Sequence, residues 1–167
     1  IEADWLPRVL SNIYDRRDIP ATEKTGALIG MFMTEKQGGS DVRTNSTQAV
    51  PAGEGNGSGA EYLLTGHKFF CSAPMCDAFL VLAKTGEQGV SCFLVPRWRP
   101  DGGRNNLAIQ RIKDKLGNRS NASTEIEFEQ TYSLMVGEEG RGVRTIIDMV
   151  AGNRIYFAMS SAGMMRQ

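Results

Sequence analysis

Apolar and polar positions along the chain fall into three regimes. Trp5, Leu6, Val9, Leu10 and Ile13 recur at helical spacing, which predicts a helix over residues 1–19. Pro20-Ala21-Thr22 interrupts it. From Leu28 the pattern changes to short strands. Leu28, Ile29, Met31, Phe32 and Met33 run into Thr34 and then break at Gly38-Gly39, where glycine permits backbone angles closed to other residues. A strand leading into a Gly-Gly-Ser-Asp loop gathers backbone N–H groups and the hydroxyls of Thr34 and Ser40. Such a loop serves as an ordinary turn or as a cradle for an anion or a polar heteroaromatic ring.

Further strands follow. Gly66 between Glu61–Thr65 and Lys68–Ser72 signals a hairpin or a bulge. Ala78–Lys84 and Val90–Val95 are apolar at nearly every position, as in strands covered on both faces. Leu107–Ile112 is shorter. Over 124–129, Thr124, Ile126 and Phe128 alternate with Glu125, Glu127 and Glu129, a strand with one wet face. Seven or eight short strands with glycine-rich turns imply a barrel or two packed sheets. After Gly140 the period is helical again, and Val143, Ile146, Ile147, Val150, Ile155, Phe157, Met159, Met164 and Met165 make a broad apolar surface that needs partners. The fold class is therefore mainly β with flanking helices. The expected partition is 1–27 as the end of a helical domain, 28–139 as the β-domain and 140–167 as the first helix of a further helical domain. A chain without an initiator Met and with so apolar a last helix is expected to be a piece of a longer protein.

Composition narrows the picture. The 167 residues are 41% hydrophobic and 23% charged, with zero formal net charge, so no global charge argues for nucleic acid. Locally, Arg97, Arg99, Arg104, Arg111, Lys113, Lys115 and Arg119 face only Asp101 and Asp114 in their own interval, which suits a solvated rim or a phosphate-bearing partner. Cys71, Cys76 and Cys92 sit in short apolar contexts, as buried free thiols of a reducing compartment do. With one histidine and no close cysteine pair, no metal site is expected. No apolar run reaches the roughly 20 residues of a bilayer span, and a cytoplasmic location (mitochondrial or peroxisomal in a eukaryote) is expected.

Four blocks in order resemble the acyl-CoA dehydrogenase family: Met33-Thr34-Glu35 with Gly39-Ser40-Asp41, Leu64–Ser72 (similar to its NGxKxWIT hairpin), Lys115–Ser120 (similar to K[ML]GxRxS) and Gly137–Gly142. Lys36-Gln37 and the wording of Lys113–Ser123 are similar to the AidB-type branch, linked to the adaptive alkylation response. The resemblance implies a middle-domain β-barrel that holds FAD through Met31, Met33, Thr34, Gly39, Ser40, Phe70, Cys71 and Ser72. Ser40 would also face the acyl-CoA substrate, and Arg154 would lie near the substrate channel or form an interhelical ion pair. Phe70 stands where the family has Trp, and Ser72 where it has Thr. The family's catalytic Glu belongs to the C-terminal helical domain, so no catalytic base is named in this chain. The implied chemistry is α,β-dehydrogenation of an acyl-CoA, with an electron-transfer flavoprotein as acceptor and a homotetramer as assembly. The alternative is an AidB-like flavoprotein that binds DNA and has little dehydrogenase activity. A third reading is a β-barrel interaction module without cofactor.

Overall fold

The computed structural model describes residues 1–39 and 41–166. Helix α1 (Glu2–Val9) is followed by irregular chain, then seven strands: β1 (Ile29–Phe32), β2 (Gln48–Pro51), β3 (Glu61–Ser72), β4 (Ala78–Lys84), β5 (Val90–Pro96), β6 (Leu107–Ile112) and β7 (Ser123–Val136). Helix α2 (Gly142–Met165) ends the chain.

The pairings close on themselves. β4 pairs with β5, β5 with the end of β7, β7 with β3, β3 with β2, and β2 returns to β4 through the parallel pair Gln48 and Lys84. β1 lies parallel to the first half of β4, and β6 pairs with the first half of β7. A closed circuit leaves few open edges. Its interior is filled by Phe32, Tyr62, Leu64, Phe79, Val81, Phe93, Ile126, Phe128 and Met135. Phe32 stacks on Phe79, with ring centroids 4.3 Å apart.

Three expectations change. The helix of residues 1–19 stops at Val9. Beyond it, Ser11 Oγ accepts from the Ile13 N–H and Asp15 Oδ1 accepts from the Arg17 N–H, local side-chain bonds that compete with helix. The strand expected over 124–129 runs on to Val136, because Gln130 takes φ 50° as an extra residue in β7 opposite Thr65 and reverses the alternation. Gly66 thus sits beside a bulge inside one long strand, not at a hairpin turn. It is glycine because its φ is 146° and a Cβ would lie 2.6 Å from Thr47 Cα. At Gly38 and Gly39, φ is not positive. Gly38 is needed for close approach instead, since a Cβ would meet Thr44 Oγ1 at 2.4 Å.

A second bulge in β3, between Lys68 and Cys71, matters more for function. The extra residue lets Phe70 turn outward while Cys71 turns into the core.

α2 crosses the outside of the barrel. Ile146 packs with Leu82, Val90 and Cys92, and Met149 lies against this cluster together with Met31 and Met33. Farther along, Ile155, Tyr156, Phe157, Met159, Met164 and Met165 are exposed. Among the described residues, no helix is long and apolar enough to cross a membrane.

Candidate functional site

Alternation along β1 sends Phe32 into the barrel and Met31 and Met33 out of it, beneath α2. β1 is joined to β3 just beyond its end, where the Phe69 N–H donates to the Thr34 carbonyl at 2.9 Å. The second β3 bulge places Phe70 and Ser72 beside it. The result is a cavity of about 400 Å³ lined by Ile29, Gly30, Met31, Met33, Thr34, Phe70, Ser72, Ala73, Met149 and Asn153. Its walls are mostly apolar, and include Thr34, just past β1, and Ser72 at the end of β3.

Thr34 gives the cavity its chemical signature. Its Oγ1 is buried and has no hydrogen-bond partner among the described residues. An unpaired buried hydroxyl costs about 1–3 kcal/mol. Arg8 Nε and Asn45 Oδ1 are also unpartnered, but neither residue lines this cavity. Thr34 lines the apolar slot, and its orphan Oγ1, closed to solvent in this conformation, becomes available to the polar edge of a ligand when the side chain turns toward the slot. A flat heteroaromatic ring with peripheral nitrogens and carbonyls, such as isoalloxazine, fits both properties.

Phe70 is held from behind. Lys113 Nζ lies 3.2 Å from the Phe69 ring centroid and 4.4 Å from that of Phe70, and donates to Glu125 Oε1 at 2.8 Å. The cation between two rings fixes their edge-to-face arrangement.

The loop after Thr34 is anchored by a buried ion pair. Lys68 Nζ donates to Glu35 Oε1 at 2.6 Å, and both side chains are fully buried. Thr47 Oγ1 also donates to Oε1 at 2.6 Å, while the Ser46 N–H and Gln37 Nε2 donate to Oε2, each at 2.6 Å. Burial works to raise the pKa of Glu35, but the Lys68 charge and these donors outweigh it and hold the carboxyl below the usual carboxylate range. A pKa depressed by folding contributes stability that is complete above the ordinary Glu value of about 4.3 and lost as pH falls below it. Acid unfolding should therefore begin below about pH 4.3, and Glu35→Gln should flatten that acid limb. Urea midpoints across pH 2–6 check this.

A larger groove, about 540 Å³, runs along β3, β6 and β7 and is lined in part by Glu127 and Glu129. It lacks the orphan hydroxyl that marks the smaller cavity.

The profile of the acyl-CoA dehydrogenase middle domain matches residues 30–131, more than half of the chain. The chain belongs to the acyl-CoA dehydrogenase family. It is 50% identical over 98% of its length to AidB of Escherichia coli K12, and 34% identical over 83% to acyl-CoA dehydrogenase family member 11 of Caenorhabditis elegans. The crystal structure of C. elegans ACDH-11 in complex with C11-CoA superposes with TM-score 0.76 over 88% of this chain at 32% identity, using 27% of that chain. The chain spans only 29% of AidB and 23% of family member 11.

Of the residues expected at the flavin site, Met31, Met33, Thr34, Phe70 and Ser72 line one cavity. Gly39 does not line it but is adjacent, 3.7 Å from Thr34 Cγ2 at its Cβ position. Ser40 lies outside the described residues. Cys71 faces the barrel core, where burial pushes its thiol up to about 12, so its side chain takes no part in the cavity. Arg154 is exposed on α2 and does not line it. Met149 and Asn153, which sequence reasoning missed, do. Their i, i+4 spacing on one helix face was the available signal.

The basic interval also resolves differently. Acids from outside join those within it: Arg104 pairs with Asp18, and Arg111 and Lys113 with Glu125, alongside Arg99 with Asp101 and Arg119 with Asp114, while Arg97 Nε donates to the Cys76 carbonyl.

Proposed function

We propose that residues 28–139 form the flavin-holding β-domain of an FAD-dependent acyl-CoA dehydrogenase. The observation that carries this reading is that Thr34, whose buried hydroxyl has no partner among the described residues, lines one slot with Met31, Met33 and Phe70. FAD, when bound, supplies the hydride acceptor for α,β-dehydrogenation of an acyl thioester. The residues of this chain orient and shield. Thr34 and Ser72 offer hydroxyls to the polar edge of the ring, the two methionines and Phe70 exclude water, and the Glu35–Lys68 pair keeps Thr34 in place. Gly39, beside Thr34, would extend this contact from the loop. C11-CoA in the C. elegans neighbour supports a fatty acyl-CoA as substrate class. An electron-transfer flavoprotein as acceptor, a tetramer and a cytoplasmic setting remain parts of the same proposal.

The competing reading, duplex DNA as the main partner, draws no support from the interval Arg97–Arg119, where most cations are already paired.

The test is a visible spectrum of the intact FAD-loaded protein titrated anaerobically with acyl-CoAs of graded length. The oxidised flavin band should bleach with at least one of them. No bleaching with any, together with salt-sensitive duplex binding, would reject dehydrogenation in favour of the DNA reading.

A further inference from the structure

Ser72 and Ser123 face each other across the β3–β7 pairing, and their hydroxyl oxygens are 3.1 Å apart. Ser72 lines the cavity, whereas Ser123 is only 3% exposed. Behind Ser123 stands Lys115, from the loop between β6 and β7. Its Nζ donates to Ser123 Oγ at 3.1 Å and to the Asn121 carbonyl.

We propose that Lys115 is a positioning residue which, through Ser123, holds the Ser72 hydroxyl as a hydrogen-bond donor toward the cavity. The inference rests on the reading of that cavity as the FAD site and assigns a polarity to one of its walls. An ammonium group has donors and no lone pair, so Ser123 Oγ must accept from Lys115. The Ser123 proton then has one partner among the described residues, Ser72 Oγ. The opposite order, Ser72 donating to Ser123, would leave the Ser123 proton buried and unpaired, which is costly. With Ser72 accepting from Ser123, its own proton is free to point into the cavity. The relay therefore runs from ammonium to Ser123 to Ser72, and the cation polarises each bond in the same direction. A wall of this polarity selects a ligand that presents an acceptor there, a ring nitrogen or a carbonyl oxygen. It disfavours one that presents N–H alone. The Lys115 charge also favours negative charge gained by the ring on reduction.

A double-mutant cycle on the intact protein, read by FAD dissociation constants from flavin fluorescence, tests the relay. K115M and S123A should each weaken FAD binding about three- to tenfold. The double variant should be no weaker than either alone by more than about twofold, because both cut one line. The flavin midpoint potential should fall in K115M. Should K115M not fold, the pair S72A and S123A runs the same cycle. Multiplicative losses in the double variant, or K115M binding FAD as tightly as the wild type, would overturn the relay while leaving the flavin site standing. A wild type that fails to bind FAD overturns the site reading and the relay together.

Discussion

Lys68→Met should destabilise the fold by about 3–5 kcal/mol, the range for removing one partner of a buried ion pair. The cost arises at the residue left behind. Glu35 keeps its Ser46, Thr47 and Gln37 donors but loses the one cation that pairs with it among the described residues, and the side chain itself is fully buried. The pH dependence should change as well. In the wild type the Glu35 pKa is depressed, so stability falls on acidification. In K68M the carboxyl loses the cation that lowers its pKa and keeps only its donors against burial, so the variant should lose less stability than the wild type as pH falls below about 4.3. Adding Glu35→Gln should recover much of the loss, because no charge then remains buried. Urea unfolding of the single and double variants at about pH 7 and below about pH 4.3 measures all three effects. A K68M loss below about 1 kcal/mol, in the range of an exposed pair, would contradict the burial assigned to this pair.

The second large effect has two signs. Thr34→Val conserves shape and removes the orphan hydroxyl. In the cofactor-free protein it should raise stability by about 1–2 kcal/mol, the cost of an unpaired buried polar group. In the same variant, FAD affinity should fall about tenfold, for loss of one buried hydrogen bond. Few substitutions strengthen the empty protein and weaken the loaded one. The combination separates a ligand-binding hydroxyl from a residue that only packs. Thermal unfolding with and without FAD shows both halves in one experiment. Destabilisation of the cofactor-free form would mean that Thr34 Oγ1 has a partner within the protein.

The strands were legible because their periods are simple: the doubly covered Ala78–Lys84 and Val90–Pro96, and the alternation from Thr124 to Glu129. What broke the reading was bulges. The extra residue at Gln130 hid the second half of β7, and the one between Lys68 and Cys71 decides which of Phe70, Cys71 and Ser72 face the cavity. Period-two alternation already set Cys71 apart from its two neighbours. Including it at the site followed the motif rather than the geometry. The Glu35–Lys68 pair was illegible for another reason. Its members are 33 residues apart, and each sits in a polar stretch that looks solvated. The loop is laid over β3 by the close approach of Thr47 to Gly66 and by the bonds from Thr47 Oγ1 to the His67 carbonyl and from the Phe69 N–H to the Thr34 carbonyl, and both charges are buried. In Arg97–Arg119 the arginines Arg99, Arg104, Arg111 and Arg119 are exposed, as a solvated rim requires, but the acids that pair with Arg104 and Arg111 lie outside that interval and were not legible from it.

A crystal structure of the intact protein with FAD decides whether the cavity between β1, the end of β3 and α2 takes the flavin ring, as proposed. The isoalloxazine should lie against Met31, Met33 and Phe70, with a polar ring atom within about 3.2 Å of Thr34 Oγ1. A ring bound elsewhere, or a Thr34 hydroxyl still without a partner in the complex, would contradict it.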